Sequence, residues 1–174
     1  DRIISVNDGS VCLLEEDKPH QRLLITEIPN EGVVVSLDLK ADNYLNNTDL
    51  LLPRLEKVHC AVDYLIICDY LDRVDVLLLE LKSQSYDNLL HKFWSSCDLV
   101  RFLVKKCDHF SNNNFNYRER NVNVYAFLAS PKGRGKSGIG VAYPQEQLRG
   151  LRYLKLPYNE EISYKSLLRS APRL

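Results

Sequence analysis

Three charged residues interrupt or end apolar runs in this sequence. Glu80 and Lys82 flank Leu81 directly after three consecutive leucines, in the run VDVLLLELK. Asp63 breaks a second apolar run, AVDYLIIC, between Val62 and Tyr64. A charged group in apolar surroundings costs free energy unless it is paired or bound to a metal. Residues two apart on a strand project from the same face, so the Glu80 carboxylate and the Lys82 ammonium point together. If the two runs pair as a hairpin, Asp63 lies beside the end of the second. Two carboxylates can hold a hard cation such as Mg²⁺ or Mn²⁺ through oxygen. Such a cation polarises a phosphate and lowers the pKa of a bound water. A lysine beside it can orient that water or offset the charge that grows at phosphorus. These residue types in this spacing suit metal-assisted hydrolysis of a phosphodiester. The competing reading is structural: a strand-end salt bridge between Glu80 and Lys82, with Asp63 capping a turn.

The elements that must position these residues are readable from periodicity. Ala61 to Cys68 and Val74 to Leu81 are β-rich runs joined by a short polar turn, which predicts a hairpin. Both runs are apolar on both faces, so the strands are expected to be central and covered on each side. From Ser85 to Cys107, Tyr86, Leu90, Phe93, Cys97, Val100 and Val104 recur at spacings of three and four. That predicts a helix with one buried stripe and with Lys92, Arg101, Lys105 and Lys106 on its other face. Asn121 to Ala129 is a further strand, Tyr153 to Leu156 a last one, and Ser163 to Arg169 a short helix. Upstream, Val11 to Glu15, Leu23 to Glu27 and Val33 to Leu39 predict an antiparallel meander. Asp42 to Leu52 predicts a short helix ended by Pro53. Ser111 to Arg120 and Pro131 to Gly140 are polar loops.

With strands and residues in this order, the sequence resembles the PD-(D/E)xK nuclease superfamily, which includes restriction endonucleases. The resemblance rests on Asp63 in VDYLII and on Glu80-Leu81-Lys82 in LLLELKS, followed by the long helix and the strand VNVYAFLA. It covers the chain from Leu37 to Ala129 and departs from the family pattern in two places. Val62 stands where proline is frequent, and the further acidic ligand carried by many members has only Asp42 and Asp49 as candidates. The resemblance implies a restriction-endonuclease-like α/β core: a mixed central β-sheet flanked by helices, here with an N-terminal antiparallel strand extension. It also implies Asp63 and Glu80 as metal ligands, Lys82 as the catalytic lysine, and one Mg²⁺ or Mn²⁺ ion. The implied activity is that of an endonuclease acting on nucleic acid, DNA above all, in restriction or defence. The alternative is a catalytically inactive module of the same fold that binds nucleic acid or serves assembly.

Other residues carry weaker signals. The segment SPKGRGKSG offers Lys132, Arg134 and Lys136 as contacts to a nucleic-acid backbone. Gly135-Lys136-Ser137 also resembles the end of a phosphate-binding loop, which leaves nucleotide binding through Lys136 as a third reading, although Ser130 replaces the first glycine and Gly138 and Gly140 would break the required helix. Gln84 follows Lys82 closely enough to touch a phosphate, and His91 and Asp49 are accessory candidates. Asp69, Asp72 and Asp75 read as turn residues, with solvent-facing strand as the alternative for Asp75. Phe93 and Trp94 read as core.

Bulk properties set the limits. The chain of 174 residues fits a single domain, read as a β meander over 1–40, a catalytic core over 41–130 and a basic loop with C-terminal extension over 131–174. Its 23 basic and 23 acidic residues cancel, so attraction to nucleic acid must come from a local cluster. No hydrophobic run approaches bilayer length, and a membrane partner is not expected. The five cysteines include no CxxC pair, so reduced thiols in a cytoplasmic protein are expected rather than zinc. The chain has no methionine, so Asp1 is not expected to be the translation start, and a longer gene product is expected. A homodimer, or a subunit of a larger complex, is the expected assembly.

Overall fold

A computed structural model describes residues 3–4, 6–15, 18–29, 32–37, 61–70, 72–82, 88–110, 121–130, 145–148 and 151–174. The fold is mixed α/β, with two sheets and two helices among these residues. In chain order the strands are β1 (Ile3–Ile4), β2 (Val11–Glu15), β3 (Lys18–Thr26), β4 (Val33–Ser36), β5 (Tyr64–Asp69) and β6 (Arg73–Leu81). Helix α1 (Leu89–Phe110) follows, then β7 (Asn121–Ser130), β8 (Gln145–Leu148), β9 (Leu151–Pro157), β10 (Glu161–Ser163) and α2 (Tyr164–Ser170).

The large sheet has seven strands in the order β1-β4-β5-β6-β7-β9-β8. β4 pairs antiparallel with β5 and β5 antiparallel with β6, whereas β6, β7 and β9 are mutually parallel. The hairpin read from the two apolar runs is present, with Tyr64 opposite Leu79 and Asp69 opposite Val74. β6 is the middle strand and is buried from Val74 to Leu81. Its alternation divides the core in two. Leu77, Leu79 and Leu81 face a cluster that contains β2, β3, β10 and α2, while Val74, Val76 and Leu78 face Leu89, Phe93, Cys97 and Val100 of α1. The large sheet is therefore a central layer, with α1 on one face and the small sheet plus α2 on the other. A strand covered on both faces reads as an unbroken apolar run, and β6 does.

The N-terminal meander needs correction. β2 and β3 do form an antiparallel hairpin, but they belong to a separate three-stranded sheet in the order β10-β3-β2. β4 leaves that hairpin and pairs with β5 in the large sheet. β3 also begins at Lys18, earlier than the predicted start at Leu23. β9 is longer than predicted and is not the last strand, since β10 follows and pairs in parallel with β3. Helix α1 starts later than the periodicity suggests. Asn88 has φ of 62°, a left-handed conformation that asparagine tolerates and that cannot extend a helix backwards. Its carbonyl accepts the first helical bond, from Lys92 N at 2.9 Å. The short C-terminal helix is present as α2, capped by the Ser163 hydroxyl. The predicted helix over Asp42–Leu52 and the loops over 111–120 and 131–140 lie outside the described residues.

Asp75 is neither a turn residue nor solvent-facing. It is buried on β6, where its carboxylate accepts from Asn123 Nδ2 at 2.9 Å and from Arg73 Nε at 3.0 Å. Alternation alone put it outward, but the face it occupies is covered by the second sheet and α2. Asp75→Ala strands the buried Asn123 amide, while the Arg73 side chain, 39% exposed, keeps water. The expected loss is about 2–3 kcal/mol of unfolding free energy. Urea unfolding checks this, and a change under about 0.5 kcal/mol would mean the buried carboxylate contributes nothing net. Trp94 is also not core: it is 41% exposed, while Phe93 beside it is fully buried. Of the cysteines, Cys68 and Cys97 are buried free thiols as expected, and Cys12 is free but exposed.

Candidate active site

The site lies where β6 ends and β5 begins. Asp63 sits one residue before β5 rather than inside it. Its position is set from three sides. Leu37 N donates to the Asp63 carbonyl at 2.8 Å, Val62 N donates to the buried Ser96 Oγ of α1 at 3.0 Å, and Leu81 N donates to Asp63 Oδ2 at 2.6 Å. Tyr64 pairs with Leu79, so Asp63 comes level with Glu80 across the hairpin. Glu80 and Lys82 project to the α1 side of the sheet, as their spacing requires. Lys82 N donates to the Ala129 carbonyl at 2.9 Å, which fixes the strand end against β7.

The three predicted residues are brought together, and a fourth that the sequence reading placed on the solvent face joins them. Lys92 Nζ of α1 donates to Asp63 Oδ1 at 3.2 Å and to Glu80 Oε2 at 3.1 Å. It also lies 2.9 Å from Glu80 Oε1, as does Lys82 Nζ. Glu80 is 0% exposed, Lys92 18% and Lys82 27%. Both ammonium groups therefore converge on Oε1, one from β6 and one from α1. Burial pushes the Glu80 carboxyl up to about 7, and the nearby Asp63 carboxylate adds to this, against the pull of Lys92 and Lys82. Burial alone would lower the Lys92 pKa, but Asp63 and Glu80 more than offset it, so the ammonium is held charged.

The signal for Lys92 was present in the sequence. Leu89, Phe93, Cys97 and Val100 mark the buried stripe, and Lys92 and Ser96 fall on it at the same spacing. A lysine on the buried stripe implies a partner on the opposing surface. His91, its neighbour, is exposed on α1. Gln84, Asp49, Lys132, Arg134 and Lys136 lie outside the described residues.

Asp63 and Glu80 supply hard oxygen donors suited to a divalent cation, and an ammonium between them already shows that the pair accepts a positive charge. Among the described residues, no group of three or more acidic, histidine or cysteine side chains forms a fuller ligand set. No helix among them is long and apolar enough to cross a membrane. Comparison with protein-family models, curated proteins and solved structures gives no match.

Proposed function

We propose that this chain is a metal-dependent nuclease that hydrolyses phosphodiester bonds, with DNA as substrate and Mg²⁺ or Mn²⁺ as cofactor. One observation supports the reading above the rest. Two carboxylates 17 positions apart and a lysine meet at one end of a central hairpin, with Glu80 fully buried and Asp63 level with it across the hairpin. A purely structural salt bridge gives no reason to place a carboxylate there, since apolar residues in its place are as stable or more so. The order hairpin, α1, β7 also follows the arrangement that the PD-(D/E)xK resemblance implies.

In this reading Asp63 and Glu80 hold the metal, which when bound polarises the phosphate and acidifies a water. Leu81 N–H and the α1 contacts keep Asp63 in place before any ligand arrives, so little reorganisation is needed. Lys82 is the more exposed of the two lysines, and on leaving its 2.9 Å pair with Glu80 its ammonium would turn toward a phosphate oxygen or an attacking water. Its backbone is pinned to β7, so only the side chain moves. The basic segment with Lys132, Arg134 and Lys136, together with Gln84, would contact the nucleic-acid backbone. Restriction or defence, and a homodimer or larger complex, belong to the same proposal.

A second reading is favoured by the Lys92 contacts themselves. If that ion pair never opens, the domain is a non-catalytic module for nucleic-acid binding or assembly. Plasmid DNA separates the two. The purified chain with Mg²⁺ is expected to nick or cut it, and Asp63→Ala and Lys82→Ala each to lower the rate by about 10²-fold or more. Cutting unchanged in both variants, or absent throughout, would remove the enzymatic reading.

A further inference from the structure

The two buried carboxylates of β6 are treated differently. Asp75 has its charge answered by hydrogen bonds to both oxygens, one to each neighbour. Glu80, 0% exposed, has its Oε1 between two ammonium groups, Lys82 Nζ and Lys92 Nζ, each at 2.9 Å. Lys82 reaches Glu80 alone, whereas the Lys92 ammonium answers Glu80 and Asp63 together, at 2.9–3.2 Å from three of their oxygens. We propose that Lys92 is a resident counter-ion that occupies the cation position between Asp63 and Glu80 and withdraws when a divalent ion binds there.

The inference rests on the metal-site reading above and adds a regulation of it. A divalent ion on Asp63 Oδ1 and Glu80 needs the lone pairs that Lys92 Nζ now uses. It would also repel the ammonium at such short range. Lys92 is therefore a tethered competitor. It has the means to leave: its backbone is fixed in the first turn of α1 by the bond to Asn88, but four methylene groups separate that anchor from the charge. Its side chain is 18% exposed, so a path to water is open. While seated, it holds two neighbouring carboxylates together that would otherwise repel each other. The site is thus kept assembled without metal, and weak binding of metal is the expected cost.

Calorimetric titration of the whole chain with Mn²⁺ at pH 8 tests this, with melting curves in EDTA and in saturating Mn²⁺. Lys92→Met keeps the apolar stem and removes the charge. It is expected to bind Mn²⁺ about tenfold more tightly than wild type, while Lys92→Arg binds no more tightly. In EDTA, Lys92→Met is expected to melt below wild type, and Mn²⁺ to raise its melting temperature by the larger increment. If wild type binds Mn²⁺ and Lys92→Met binds it equally or more weakly, the counter-ion role is overturned and the metal site stands. If neither protein binds Mn²⁺, both readings fall. Should Lys92→Met not fold in EDTA, rescue by Mn²⁺ supports the proposal. Failure of both Lys92→Met and Lys92→Gln to fold even in saturating Mn²⁺ overturns it, because a divalent ion then does not replace the ammonium.

Discussion

Glu80→Gln is expected to cut about 10²–10³-fold more slowly than wild type and, in EDTA at pH 8, to melt higher. The two effects share one cause. Burial first, and then the neighbouring Asp63, raises the folded-state pKa of Glu80 from 4.5 to about 7. The folded chain therefore binds the Glu80 proton more tightly than the unfolded chain does. Stability from this group is fully present below about pH 4.5 and is lost as pH rises to about 7. The size is about 3 kcal/mol, at ~1.4 kcal/mol per pKa unit. Glutamine keeps the shape and stays neutral, so the variant should show a flatter stability profile across this window. It also lacks the charge that a divalent cation requires, so the cleavage rate should fall by about 10²–10³-fold. Melting curves from pH 4 to 8 and a plasmid assay give both readouts. A Glu80→Gln protein that melts lower than wild type at pH 8, with the pH slope unchanged, would show that the buried charge is not under strain.

Phe93→Ala is expected to cost about 3–5 kcal/mol, a large share of the 5–15 kcal/mol typical of a domain. Phe93 is fully buried, and its ring stacks on Tyr153 of β9 at a centroid distance of 6.2 Å. Removing it opens a cavity between α1 and the sheet. The two residues through which α1 shapes the site, Lys92 and Ser96, lie on either side of Phe93, so the helix that loosens is the one that touches Asp63 and Glu80. Trp94→Ala is the internal control. That side chain is 41% exposed and should cost about 1 kcal/mol or less. Urea unfolding of both variants tests the pair. Equal losses would mean that α1 is held by something other than the Phe93 stripe.

What the sequence disclosed follows from how locally each feature is encoded. The hairpin, α1 and β7 were legible because their signals are runs of residues that need no partner to be recognised. Glu80 and Lys82 were legible because a period of two and three leucines leave one place for them. β4 was assigned to the wrong sheet, because a strand's pattern says which face is buried and not which strand it joins. Asp75 reads as a turn residue, or else as solvent-facing, for the same reason: alternation marks two faces, and only the second sheet and α2 decide that both are covered. Lys92 was grouped with the solvent-facing lysines by its type, although its spacing put it with Phe93 and Cys97. At that position spacing was the better guide, because a long side chain can bury its stem and carry its charge to a partner.

The parallel pairing of β10 with β3 joins residues 161–163 to residues 24–26. Asn159 N donates to the Arg22 carbonyl at 2.7 Å, and the Ser163 hydroxyl donates to Glu27 at 2.7 Å, so the join is made by backbone and side chain alike. On the ribosome, the β2–β3 hairpin emerges well before β10 and can close by itself. Its third strand is made only after β4 to β9 have followed it. Until then one edge of β3 is an unpaired template, open to another nascent chain. Contacts so distant along the chain also form slowly. The order of synthesis therefore leaves the small sheet, rather than the candidate active site, as the part of the molecule most exposed to misassembly during its production.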